Sequence, residues 1–114
     1  MDIEVGDNKL RAALEDDSVC QRRFGKEMTK YIRLRVDALA AAASLHDFWP
    51  PKSKPERVHE LVGDMAGTFS VDVKQPYRLL FEPTNGPSSP PEDMQDRWKM
   101  IRSIEILRIE DTHG

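Results

Sequence analysis

Two histidines and one arginine in the second half of the chain could together cleave RNA without a metal ion. His59 lies in Val-His-Glu-Leu, on the face of a predicted strand opposite Val58, and His113 stands two residues after Asp111 at the chain's last predicted strand. Attack by a 2′-hydroxyl needs a proton acceptor, a proton donor and a cation that stabilises the phosphorane. Histidine as a side-chain type titrates near neutral pH, so His59, His113 and Arg78 would supply these groups.

The position of Arg78 within its strand suggests why a cation is there. It lies in Tyr-Arg-Leu-Leu-Phe, where alternation directs it away from the face formed by its apolar neighbours. An arginine flanked by apolar positions on a strand either pairs with an acid or binds an anion. The sequence leaves both alternatives open.

Other kinds of catalytic or cofactor site have no matching pattern. The sequence contains no phosphate-binding glycine loop, no His-Glu-x-x-His helix and no nucleophile elbow. The single cysteine, Cys20, excludes an intramolecular disulfide and a zinc site built from cysteines. We expect no cofactor and no metal ion.

Positive charge is concentrated in the middle of the chain. The formal net charge is -3, yet residues 20–58 hold nine basic and four acidic residues, between two acidic flanks. A positive field of this kind favours contact with a polyanion such as RNA, although a solvated helix face would look the same. The candidate RNA- or ribosome-binding residues are Arg22, Lys26, Lys30, Arg33, Lys52, Lys54 and Arg57.

The first half of the chain has helical periodicity. Asp7 is a predicted N-cap for a helix over residues 8–16. Ser18 and Gln21 have the spacing of a capping box, which predicts an amphipathic helix of about 25 residues. Gly25 is a poor residue for a helix interior and is a candidate for the real start of this second helix.

The second half changes to the alternation of β-strands. A proline-rich loop over 46–55 precedes a short strand bounded by Val58 and Leu61, a turn at 63–67, and strands near 69–73 and 77–81. A polar loop over 82–96 follows, and a last strand is predicted over 98–109. Trp49 and Trp98 are predicted to be core or rim residues without a functional role.

Helices followed by strands predict an α+β domain. We expect a single domain over residues 1–114, with two N-terminal helices on a small antiparallel sheet and a short N-terminal strand as a further candidate element. The acidic N-terminus lacks the apolar segment of a signal peptide, and no apolar run could span a bilayer. We therefore expect a cytoplasmic protein with no membrane partner.

Residues 57–83 resemble the central block of HigB-type "plasmid maintenance killer" toxins, which belong to the RelE/ParE superfamily. The block combines a His-Glu-Leu-Val-Gly-Asp turn with a Tyr-Arg-Leu-Leu-Phe strand. Residues 104–113, ending Ile-Glu-Asp-Thr-His, resemble that family's terminal strand, which usually closes Asp-Tyr-His. The Phe-Gly-Lys-Glu and Ala-Ala-Ala-Ser-Leu-His-Asp segments upstream also agree.

This resemblance implies a toxin of a type II toxin–antitoxin system that cleaves mRNA on the ribosome. It implies that His59 and His113 share the proton transfers, that Arg78 holds the scissile phosphate and that Asp111 orients one imidazole. The implied partners are the ribosome with its mRNA and a cognate helix-turn-helix antitoxin, with operator DNA bound only through the antitoxin. Thr112 stands where the family usually has tyrosine.

Two other functions remain open from the sequence. The chain could be a catalytically inactive RelE-fold binding module or an antitoxin-like partner protein. It could also be a small α+β interaction domain unrelated to this family.

Overall fold

Side-chain caps set where the first two helices begin. The computed structural model describes residues 1–86 and 91–112 of the protein. Helix α1 spans Asn8–Glu15, and Asp7 accepts a hydrogen bond from the Leu10 N–H, which confirms the predicted N-cap. Helix α2 spans Asp17–Phe24. Its cap is Asp16, which accepts from the Ser18 N–H at 2.8 Å, so the capping box predicted at Ser18 was wrong.

Gly25 divides the long helix that the sequence predicts. Its backbone has φ 91° and ψ 161°, a conformation that is essentially restricted to glycine. The chain therefore continues as a separate helix, α3, over Lys26–Ala41. The single helix of about 25 residues was wrong, and the alternative start at Gly25 is the one observed. Three helices thus precede the central strands, and the prediction of two N-terminal helices was wrong.

Within the described residues, five strands form one mixed sheet. They are β1 (Asp2–Val5), β2 (His59–Glu60), β3 (Phe69–Lys74), β4 (Tyr77–Pro83) and β5 (Ser103–Asp111). The order across the sheet is β1-β5-β4-β3-β2. Strand β1 runs parallel to β5, and the other pairs are antiparallel. The N-terminal strand is therefore confirmed, whereas the purely antiparallel sheet was wrong.

A fourth helix replaces the start of the last predicted strand. Helix α4 spans Met94–Met100, and its N-cap Asp93 accepts from the Asp96 N–H at 3.0 Å. Trp98 belongs to this helix and is 1% exposed, so placing it in a strand was wrong, whereas placing it in the core was right. Two short 3-10 helices, Leu45–Phe48 and Gly63–Met65, lie in the connections.

The main core lies between the helices and one face of the sheet. Phe69 and Phe81 stack across β3 and β4 with ring centroids 5.5 Å apart, and Trp98 packs edge-on against Phe69 at 5.9 Å. We call this side the helix face of the sheet. The core on this side also includes helix and strand residues, namely Leu10, Ala13, Ile32, Leu39, Val71, Leu79, Ile104 and Ile106. Strand alternation directs the intervening side chains to the opposite side, which we call the polar face.

Candidate functional site

The polar face brings several ionisable side chains of four neighbouring strands, β2 to β5, into two rows. In one row Arg78 of β4 lies directly opposite Asp72 of β3 in the strand register, and opposite Glu110 of β5 on its other side. Directly paired residues of antiparallel strands lie on the same face, so these three side chains are neighbours. The next row contains His59, Ser70, Leu80 and Arg108.

The carboxylate of Glu110 holds two guanidinium groups at once. Its Oε2 accepts hydrogen bonds from Arg78 Nη2 at 2.9 Å and from Nε at 3.3 Å. Its Oε1 accepts from Arg108 Nε at 2.8 Å. Burial raises the pKa of Glu110, but the hydrogen bonds from Arg108 and Arg78 outweigh it and lower the pKa below the ordinary value of 4.5. Glu110 is therefore ionised at neutral pH.

A second ion pair fixes the connection that leads into β2. Arg57, at φ 49°, donates from Nη1 to Asp72 Oδ2 at 3.1 Å. Arg35 of α3 donates from Nε to the backbone carbonyl of Asp72 at 2.7 Å. Arg57 was predicted to contact RNA, but in the free protein its charge is already engaged by Asp72.

His59 lies at the edge of the sheet, on the same face as Arg78. Its Nδ1 is 2.8 Å from the backbone oxygen of Arg57, so Nδ1 carries the hydrogen that is donated to this carbonyl. Two strand spacings of about 4.8 Å separate His59 from the strand of Arg78. The two residues therefore belong to strands that are not neighbours, with β3 between them.

A pocket of about 350 Å³ adjoins His59. Lys52, whose backbone N–H donates to the Val58 carbonyl at 2.9 Å, lies on its rim. The pocket also includes Val62, which is 88% exposed, and part of the buried Trp98. Beside the candidate proton acceptor, the pocket thus combines apolar walls with the cation of Lys52 and the carboxylate of Glu60, which is ion-paired with Arg97.

Asp111, near the C-terminal end of β5, lies on the opposite side of the sheet from His59 and Arg78. Asp111 is paired with Tyr77, and alternation along β5 places it on the helix face, opposite to Glu110. Thr112 donates to the Pro76 carbonyl from its N–H at 2.8 Å and from its hydroxyl at 2.9 Å. These bonds fix the chain end against the β3–β4 turn. His113 lies outside the described residues.

The candidate RNA-binding residues of the helices are divided between α2 and α3. Lys26, Lys30 and Arg33 lie on one side of α3, around a groove of about 650 Å³ that also exposes Leu34. Arg33 pairs with Asp17 at 2.7 Å, whereas Lys26 and Lys30 have no carboxylate partner in the described part of the chain. Arg22 belongs to α2, on the other side of the break at Gly25.

Comparison with known proteins identifies the fold. A YoeB/ParE toxin from Agrobacterium tumefaciens superimposes with a TM-score of 0.56, covering 97% of this chain and 98% of that one at 14% identity. The chain has the fold of this toxin. No protein-family model matches the sequence, and no curated protein matches it in a sequence search.

Sequence reasoning missed three polar-face residues of this toxin fold. Glu110, Arg108 and Asp72 were not selected, because the pairing of β3, β4 and β5 was unknown. The signal that could have found them is alternation, since Arg108 and Glu110 flank Ile109 on the same side of β5.

A further finding is that no helix in the described ranges is long and apolar enough to cross a membrane.

Proposed function

We propose that the chain is the toxin of a type II toxin–antitoxin system, of the HigB type within the RelE/ParE superfamily. We further propose that it cleaves mRNA on the ribosome without a metal ion. The polar face carries the proposal: a histidine and two guanidinium groups share one sheet face of a fold that a YoeB/ParE toxin also has.

The proposed reaction is attack of an RNA 2′-hydroxyl on the adjacent phosphodiester. The 2′-oxygen forms a bond to phosphorus as the bond to the 5′-oxygen breaks, leaving a 2′,3′-cyclic phosphate and a 5′-hydroxyl. His59 and His113 share the two proton transfers, one accepting the 2′-hydroxyl proton and the other protonating the leaving oxygen. Arg78 stabilises the charge that develops on the phosphorane. Asp111 orients the imidazole of His113, which follows it by two residues.

The His59 geometry suits the role of proton acceptor. Its Nδ1 faces a backbone oxygen, which favours the tautomer whose Nε2 lone pair can accept a proton. Lys52 and Lys54 are exposed in the loop that precedes β2, so they can contact phosphates close to His59. Together with Arg22, Lys26 and Lys30 they form the proposed contact with ribosomal RNA.

The proposed partners follow from this function. A cognate helix-turn-helix antitoxin would bind and silence the toxin, and operator DNA would be bound only through that antitoxin. Ribosome and mRNA would be met in the cytoplasm. Because these contacts are with phosphates, we expect ribosome binding to weaken steeply as salt concentration rises.

The test is inducible expression in a bacterial host with 5′-end mapping of a reporter mRNA. We expect new cleavages that require translation of the reporter and that disappear in Arg78→Ala. Arg102→Ala is the matched control, because Arg102 is an exposed arginine without an ion pair in the described chain and precedes the start of β5. The control should cleave like the wild type.

The opposite result would favour a different function. Intact mRNA and normal growth in the presence of soluble, folded wild-type protein would contradict the nuclease. The alternative of a binding module has one specific observation in its favour, namely that Glu110 already engages Arg78 and Arg108 in the free protein. Capture of a partner by both wild type and Arg78→Ala would then support that alternative.

A further inference from the structure

The contacts around Glu110 have the form of an occupied oxyanion site. Arg78 approaches one carboxylate oxygen with two nitrogens, and Arg108 approaches the other oxygen with its Nε. The Arg78 and Glu110 side chains are 24% and 28% exposed, and Arg108 is 53% exposed. The site is therefore partly withdrawn from water but open on the Arg108 side.

A phosphate group fits the same two guanidinium groups. Arginine presents a planar set of N–H donors that matches both carboxylates and phosphates, and such charge-assisted hydrogen bonds are stronger than neutral ones. A phosphodiester offers two unesterified oxygens, as a carboxylate does. It could therefore take both positions that Oε1 and Oε2 of Glu110 now occupy.

We propose that Arg78 and Arg108 form one phosphate-binding site, and that Glu110 occupies it in the free protein as an internal competitor. This inference rests on the proposed function for its ligand, an RNA phosphodiester, although free phosphate has the same chemistry. Arg108 becomes a second binding residue beside Arg78. RNA gains access to the site only when the Glu110 carboxylate is displaced.

The neighbouring charges make this displacement feasible. Asp72, the β3 residue next to Arg78, is held by Arg57, so it does not replace Glu110 as a partner for Arg78. Glu110 lies one residue before the end of β5 and is partly exposed, so its carboxylate can turn into water without disturbing the core. The cost of displacement appears as weaker RNA binding.

The central variant is Glu110→Gln, which keeps the side-chain shape and removes the negative charge. The neutral glutamine holds Arg78 and Arg108 less strongly than the Glu110 carboxylate does, so RNA displaces it more easily. We expect RNA binding to strengthen about tenfold. Glu105→Gln is the matched control, since Glu105 lies on the same strand and its change alters the net charge equally. Glu105 faces Gly6 at the other end of β5, and its variant should bind RNA like the wild type.

Binding is measured with the full chain and a fluorescein-labelled single-stranded RNA oligonucleotide, without ribosomes. The same tight binding should be lost when Arg108→Ala is combined with Glu110→Gln. Equal effects of Glu110→Gln and Glu105→Gln would show a general charge effect and overturn the proposal. Weaker binding by Glu110→Gln, or a gain that survives Arg108→Ala, would also overturn it.

Inorganic phosphate separates the two sources of the ligand. Displacement of the RNA by phosphate at lower concentration in Glu110→Gln than in wild type would support a site that accepts any phosphate. A gain for RNA alone would support a site that requires the polynucleotide. Either result supports the role of Glu110 as a competitor. If Glu110→Gln binds neither RNA nor phosphate more tightly than the wild type, that role is contradicted.

A measurement on the wild-type protein covers the case in which the variants do not fold. The RNA oligonucleotide titrated into ¹⁵N-labelled protein should shift the side-chain Nε–H resonances of Arg78 and Arg108 at the same concentration. Resonances that stay unchanged, or that respond separately, would overturn the shared site. These readouts need no mRNA cleavage, so failure of the nuclease function and failure of this inference are distinguishable.

Discussion

Replacing Gly25 by alanine tests the break between α2 and α3 directly. The residue ends α2 and begins α3, and its φ of 91° with ψ of 161° lies where side chains with a Cβ are strongly disfavoured. We expect Gly25→Ala to destabilise the protein. The substitution also favours the continuous helix that the sequence alone predicts, because alanine is the better helix former.

The expected magnitude comes from the backbone alone. Apart from Gly25 itself and its two chain neighbours, no described residue has a heavy atom within 4 Å of the position that an added Cβ would take, so the substitution causes no collision. A residue forced into this backbone region costs about 1–3 kcal/mol. Straightening the chain to avoid the strain would rotate α2 relative to α3. That rotation would withdraw Cys20 and Ile32, each 1% exposed, from the core. Both responses lower the free energy of unfolding.

Urea denaturation followed by tryptophan fluorescence measures the change. Gly86→Ala is the matched control, because Gly86 also has open space around its Cβ position and its φ lies outside the left-handed region. We expect the control to change the free energy of unfolding by less than about 0.5 kcal/mol. A loss below about 0.5 kcal/mol for Gly25→Ala would refute the reasoning, since residue 25 would then accept a helical conformation without cost.

Two further predictions concern the core and the acid dependence of stability. Trp98→Ala should cost about 3–5 kcal/mol because a fully buried indole leaves a cavity, whereas Met100→Ala on the same helix, at 44% exposure, should cost far less in urea denaturation. Equal costs would argue that α4 does not pack as described. The lowered pKa of Glu110 means that its contribution to stability is present above pH 4.5 and is lost as pH falls through the folded-state pKa. Glu110→Gln should therefore lose less stability than wild type on acidification below that pH, while Asp16 and Glu27, whose pKa values are also lowered, titrate in both proteins. Identical acid profiles would contradict this assignment.

Local rules predicted those elements whose signals are contiguous in the sequence. The Asp7 cap, the alternation around Val71 and the apolar face of β4 each depend on residues within a few positions of one another, and each appears as predicted. The α4 helix was missed because it is only seven residues long and follows a proline-rich segment. Its cap at Asp93, three residues before Asp96, is nevertheless a short-range signal within the sequence.

The candidate site was only partly accessible to sequence reasoning. His59 and Arg78 were selected by residue type and strand position, and the fold places both on the polar face. The ion pairs of Arg78 and Arg57 involve residues 32 and 15 positions away in the chain. No local pattern relates such residues, so Glu110 and Asp72 were not found.

By itself the sequence determined an α+β chain with a basic middle, and it selected His59 and Arg78 as chemically suited residues. It also marked Gly25 as a poor residue for the interior of a long helix. Only the tertiary structure decided that β1 forms the edge of the sheet beside β5 and that β5 lies next to β4. It also decided that Glu110 engages both Arg78 and Arg108. The physical reason is that caps and periodicity depend on neighbours in sequence, whereas strand order depends on which apolar faces can be buried together. The charge state and partners of the polar face follow from that order.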